Sequence, residues 1–190
     1  MFAQSLLLFA VSCAAVFSDA HPLEERQGPA IADAFNIYAY GEGISGLPIF
    51  YADGAAQLGD PSLSTAEVVQ DVYFTVSETS PNTWIAHPNR TVSGFAEAPF
   101  ESVVFTLPPA DASGENVSFE APSSSLLSTN EATAFDVYGN YVLLSGGRTG
   151  NFYAVSTDTQ GVWGLVWSAE SSQDVAVTLR TIAPATEAVL

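Results

Sequence analysis

The chain has no lysine, and its four arginines stand against 21 aspartates and glutamates, for a formal net charge of −17. Such a chain repels polyanions, which excludes nucleic acid and anionic lipid surfaces as expected partners. Cysteine is almost as scarce. The one copy, Cys13, lies in the first twenty residues, and the rest of the chain is expected to hold together without disulfides. A domain of this length buries enough apolar area to do so. Two histidines and one cysteine are too few for a zinc or copper site, so neither metal nor cofactor is expected. Charged residues make up only 13% of the chain, about half the usual share of ~25%. Hydrophobic residues make up 47% and aromatics 12%. That balance is the reverse of a disordered chain and enough to fill a core.

What is present begins with an export signal. Leu6 to Phe17 form a short apolar run, and Ser18-Asp19-Ala20 places small residues at −3 and −1 of a cut. Residues 1–20 are therefore expected to be a secretory signal peptide cleaved after Ala20. The run is too short and too close to the N-terminus for a spanning helix, and no other segment is long enough to cross a membrane. His21 to Arg26 read as a short pro-segment, with a second cut after Arg26 leaving Gln27 at the N-terminus. Residues 27–190 are then one secreted domain. Asn89-Arg90-Thr91 and Asn116-Val117-Ser118 are acceptor sequons, so Asn89 and Asn116 are expected to carry N-glycans and to lie at the surface. The last residues lack the apolar tail of a lipid-anchor signal. The expected location is extracellular, in the medium or the cell wall.

Behind the leader the pattern is strand, turn, strand. Phe35 to Tyr40, Leu47 to Ala52, Ala55 to Leu58, Val72 to Val76, Thr83 to Ala86 and Val103 to Leu107 are rich in β-branched and aromatic residues. So are Asp136 to Tyr138, Tyr141 to Leu144, Phe152 to Ser156, Val162 to Trp167 and Val175 to Ile182. Asp53-Gly54 and Gly139-Asn140 are two-residue hairpin signals, and Pro108-Pro109 stops a strand. Short helices at Ser64 to Gln70 and Ser125 to Ala134 are the only helical alternatives. The expected fold is an all-β antiparallel sandwich, with a β-trefoil or barrel as the alternative. Ala34-Phe35-Asn36-Ile37-Tyr38 echoes Ala134-Phe135-Asp136-Val137-Tyr138, and Phe50-Tyr51-Ala52 echoes Phe152-Tyr153-Ala154. No third copy exists to complete a trefoil.

The run Gly46-Leu47-Pro48-Ile49-Phe50-Tyr51-Ala52-Asp53-Gly54 and the ending Val177-Thr178-Leu179-Arg180-Thr181-Ile182-Ala183-Pro184 resemble small secreted proteins of filamentous fungi. The layout of leader, early aromatic strand and glycine-bearing hairpin is loosely similar to fungal cell wall proteins of the phialide type. The resemblance implies an extracellular, wall-associated setting and carries over no catalytic residue.

Catalytic motifs are thin. A serine triad needs a histidine beside an activated serine, but His87 reads as an exposed loop residue and no Gly-x-Ser-x-Gly elbow is present. Paired acids such as Asp53 with Asp60, or Glu97 with Glu101, could face a cleft as in glycoside hydrolysis, yet among 21 acids such pairs arise freely. Asp158-Thr159-Gln160-Gly161 is not an aspartic protease loop. The aromatics say more. Alternation puts Trp163, Leu165 and Trp167 on one strand face, the indoles roughly 13 Å apart, and Trp84 lies in another strand. These three tryptophans are the carbohydrate-contact candidates, with core packing as the competing role. The expected function is that of a non-enzymatic, acidic secreted protein at the cell surface or wall, in an effector-like variant a free one. Its expected partner is wall polysaccharide or a cationic polymer. The alternatives are a carbohydrate-active hydrolase using a carboxylate pair and a carbohydrate-binding module using exposed tryptophan.

Overall fold

The structure, a computed structural model, describes residues 34–91, 98–124, 130–145 and 150–185. Ala20 and Arg26, with the expected leader and pro-segment, lie outside the described residues, as does Glu97.

The regular secondary structure of the described residues is almost entirely strand. In order these are β1 (Tyr38–Gly41), β2 (Ile44–Ala52), β3 (Ala55–Gly59), β4 (Val69–Ser77), β5 (Ser80–Pro88), β6 (Val103–Thr106) and β7 (Glu115–Asn116). Then come β8 (Ser118–Glu120), β9 (Phe135–Tyr138), β10 (Tyr141–Leu144), β11 (Phe152–Ser156), β12 (Val162–Trp167) and β13 (Val175–Arg180). The helix expected at Ser64 to Gln70 does not form: a single 3-10 turn, Pro61–Leu63, precedes it, the chain is irregular through Val68, and β4 begins at Val69. Asp60 caps that turn by accepting from the Ser62 N–H and hydroxyl, as N-cap residues do, but no α-helix follows because the Glu67 and Val68 N–H groups go to the Asp53 carboxylate. The second expected helix falls partly on residues 125–129, outside the described residues, and Glu131 instead bridges to Leu107 as extended chain.

All pairings are antiparallel, and the fold is all-β and sandwich-like. The sheet also returns on itself. β1 pairs with β2, β2 with β3, β3 with β12, β12 with β11, β11 with β13, and β13 again with β1. A second circuit runs from β2 through β4, β5, β6 and β8 to β3. The two share the β2–β3 hairpin, whose tight turn works because Asp53 (φ 49°) and Gly54 (φ 89°) both take positive φ. Asp53 then accepts the N–H groups of Glu67 and Val68 at 2.9 and 2.8 Å, tying the chain that leads into β4 onto the hairpin. The circuits abolish most open edges. At β9, the end of the strand order, the outward groups are met by side chains. Asn82 Nδ2 donates to Phe135 O, and the Val137 N–H donates to Asp136 Oδ1.

Inside, aromatic rings form a continuous chain: Phe35 against Trp84, Trp84 against Phe135, Phe135 against Phe105, and Phe105 against Phe74 and Phe119, with centroids 4.7–5.3 Å apart. Offset and edge contacts of this kind add about 0.5–1.5 kcal/mol each to simple burial. The β11–β12–β13 side is filled by Phe152, Trp167, Leu165, Val177 and Leu179. The sequence echo does not extend to this packing. Phe152 belongs to the main core, while Phe50 joins a small separate cluster with Ala52 and Val162.

Candidate ligand-binding face

Two of the three tryptophans offered as sugar contacts are interior. Trp84 and Trp167 are each 1% exposed. A buried indole has no free face for a sugar ring, so neither can serve as a contact, and the core role holds for both. Trp167 stands edge-on to Phe152, and Gly150 lies so close over it that an added Cβ would collide with its ring. Trp163 is half-buried and packs against the core. Alternation had placed Trp163 and Trp167 on one face correctly, but that face is the inner one.

The proposed carboxylate pair Asp53 and Asp60 is committed to turns, the first holding Glu67 and Val68 and the second capping the 3-10 turn. The Ser62 bonds hold the Asp60 carboxyl below its usual range. Glu101 is exposed, and its suggested partner Glu97 lies outside the described residues. His87 is a strand residue rather than a loop residue. It lies in β5 opposite Tyr73, stacks on that ring at 5.1 Å, and its Nε2 is 2.9 Å from Thr75 Oγ1. Burial lowers its pKa. A proline on either side of a His-containing run suggests loop, but Pro88 here simply ends the strand. Burial first, then the Asp53 and Glu120 carboxylates, raise the Tyr51 phenol, which favours its neutral form. Among the described residues no group of three His, Cys, Asp or Glu could hold a metal ion, and no helix is long and apolar enough to cross a membrane.

Among the described residues the well-exposed aromatics are tyrosines. Gly139, with φ 63°, turns β9 into β10, and the two-residue loop sets Tyr138 directly opposite Tyr141. Tyr141 in turn faces Arg180 on β13, Arg180 faces Tyr38 on β1, and Tyr38 faces Pro48 on β2. Side chains in register project from the same face, so these five residues form one row across five adjacent strands. At about 4.8 Å per strand it runs roughly 19 Å. Tyr138 is 62% exposed and Tyr141 43%. The row has a rigid centre. The Arg180 guanidinium lies 4.5 Å from the Tyr141 ring centroid and 5.1 Å from that of Tyr40, and its Nη2 donates to Tyr141 Oη at 2.9 Å. Tyr40 Oη donates to the carbonyl of Ile182. Arg180 Nε is buried with no hydrogen-bond partner among the described residues, a cost of about 1–3 kcal/mol offset by cation–π contacts of roughly 0.5–2 kcal/mol each. Leu143 and Ile182, also well exposed, border the same face. Beside the row, where β10 and β11 diverge along β13, an open cleft of about 350 Å³ is lined by Leu143, Asn151, Phe152 and Thr178 among others.

Sequence reasoning missed this row by following tryptophan. The available signal was the Gly139-Asn140 hairpin, which fixes Tyr138 opposite Tyr141, and the alternation of Tyr38 and Tyr40 with buried Ile37 and Ala39. That β1, β13 and β10 are neighbours was not available. Of the sequon residues, Asn89 is half-buried just after β5 and accepts from the Thr91 N–H and hydroxyl. Asn116 is exposed, on β7. No family model matches the chain, and neither a curated protein nor a solved structure matches it.

Proposed function

We propose that the protein is exported, acts without catalysis at the cell surface or wall, and holds neutral polysaccharide against its tyrosine row. The observation that carries this is the line Tyr138, Tyr141, Arg180, Tyr38 across adjacent strands. Phenol rings offer an apolar face to a sugar and a hydroxyl to its rim, and the guanidinium supplies fixed hydrogen-bond donors. Charge narrows the ligand. The net charge of −17 disfavours polyanions, and the guanidinium in the middle of the row disfavours a cationic polymer there. Neutral glucan or chitin fits both conditions. The likeness to small secreted fungal proteins agrees with a wall setting, and the occupation of Asp53 and Asp60 in turns supports the non-catalytic reading.

The test is co-sedimentation with chitin, chitosan and β-glucan at low salt and near 1 M, where the screening length is about 3 Å. Binding to a neutral polymer should persist at high salt and fall at least about tenfold in Tyr138→Ala/Tyr141→Ala, a loss of roughly 1.4 kcal/mol. Binding to chitosan alone, lost with salt, would assign recognition to the acidic surface instead. Release of soluble sugar from any of the polymers would overturn the non-enzymatic reading.

A further inference from the structure

A second, separate cleft of about 390 Å³ lies on the outer surface of β3, β7, β11 and β12, under the loop that joins β12 to β13. Its floor is Gly164, in the middle of β12. A glycine inside a strand weakens it and marks a bulge, a bend, a close backbone contact or a place where a ligand approaches. The register of β12 with β11 runs unbroken through Gly164, opposite Val155. The backbone there is not in the positive-φ region. A Cβ added at Gly164 would find its nearest neighbours at ordinary distances, Asn116 Oδ1 at 3.8 Å and Val155 O at 3.9 Å. Neither conformation nor backbone crowding requires glycine here, and a cleft lies directly above it.

The side chain leaning over that space is Asn116, the exposed asparagine of the Asn116-Val117-Ser118 sequon. Around it the cleft presents Gln57, Ser156, Glu170 and Asp174, an amide, a hydroxyl and carboxylates suited to sugar hydroxyls and an acetamido group. Asp174 is held in place by the N–H groups of Glu170 and Ser171, each at 2.9 Å. We infer that the cleft over Gly164 is the seat of an N-linked glycan on Asn116, whose first N-acetylhexosamine packs against the sheet as part of the fold.

The inference rests on the export part of the proposed function. In the transfer step, Asn116 Nδ2 forms a bond to the anomeric carbon of a lipid-diphosphate-linked oligosaccharide. The carbon–oxygen bond to diphosphate breaks, the lipid diphosphate leaves, and Nδ2 gives up one proton. Val117 is fully buried and its N–H is bonded to Leu165 O, so the sequon cannot enter a transferase once β7 is docked. Transfer therefore precedes folding, and the domain closes around a sugar already attached.

The experiment uses the full chain secreted from a eukaryotic host. Peptide mapping should find Asn116 occupied. A four-variant cycle then compares the parent, Asn116→Gln, Gly164→Phe and the double variant by thermal melting. Without the glycan, Gly164→Phe fills an empty cleft and should leave the midpoint unchanged or raise it slightly. With the glycan it displaces the sugar and should lower the midpoint by about 2–4 °C, the shift for 1 kcal/mol in a domain of this size. Secretion with Asn116 unmodified overturns the inference and leaves the tyrosine-row reading intact. Additive effects of the two substitutions also overturn it, because a sugar that stands clear of Gly164 is indifferent to a side chain there.

Discussion

Trp84, Trp167, Phe105 and Phe135 form one aromatic population, and Tyr138, Tyr141 and Tyr40 another. Both sit on short antiparallel strands, and both alternate with smaller residues. The first is packed inside the sheet and sealed from water; the second lies on the outside of β9, β10 and β1, where Tyr40 and Tyr141 clamp Arg180. The difference between them follows from which face each strand turns to the core. Aromatic content alone therefore does not mark a sugar-binding surface. An indole is the larger hydrophobe, and here two of the three are spent on stability. The phenols, which tolerate water at one end, are left facing solvent.

Three measurements bear on that contrast. The largest effect should come from Trp167→Ala and Trp84→Ala, each expected to cost roughly 3–5 kcal/mol in urea unfolding, because each removes a fully buried ring from a packed core. A cost under about 1 kcal/mol at either site would move that indole to the surface and erase the distinction. Next in size, Tyr138→Ala should change stability by no more than about 0.5 kcal/mol, as expected for an exposed side chain outside the core. Tyr141→Ala should cost somewhat more, around 1 kcal/mol, since it also removes a ring and a hydroxyl from Arg180. Equal, large losses at both tyrosines would make the row structural.

The smallest effect concerns His87, which is intermediate between the two populations, stacked on Tyr73 but only partly covered. Burial holds its folded pKa below the ordinary 6.5. The folded state thus binds the proton less tightly than the unfolded chain. The stability tied to neutral His87 is fully present above about pH 6.5 and is lost as pH falls from there through the folded value. His87→Gln should flatten the dependence of urea midpoint on pH between about 7 and 5. An unchanged slope would place the titration elsewhere.

The strand content, the antiparallel class and both glycine-bearing hairpins were legible in the chain because they depend on local chemistry. Val, Ile, Phe and Tyr favour extended backbone, and Asp53-Gly54 and Gly139-Asn140 supply the positive φ a tight turn demands. β7 and β8 were not legible. Glu115–Asn116 and Ser118–Glu120 lack any hydrophobic run and are strands only because β12, β6 and β3 offer them edges. His87 reads as loop from its proline neighbour and becomes strand because β4 pairs with it through Pro88.

What the sequence by itself determined is the kind of molecule: acidic, lysine-free, aromatic-rich and β-forming, with period-two alternation that already divides each strand into two faces. Tertiary structure decided which face is which and which strands are neighbours. That decision sent Trp84 and Trp167 inward and brought Tyr138, Tyr141, Arg180 and Tyr38 into one row, although Tyr38 and Arg180 lie at opposite ends of the described chain. The physical reason is that alternation is symmetric. A strand read alone has two sides of equal standing, and only the long-range pairings that close β1 onto β13 and β3 onto β12 determine which side is covered and which is left to water.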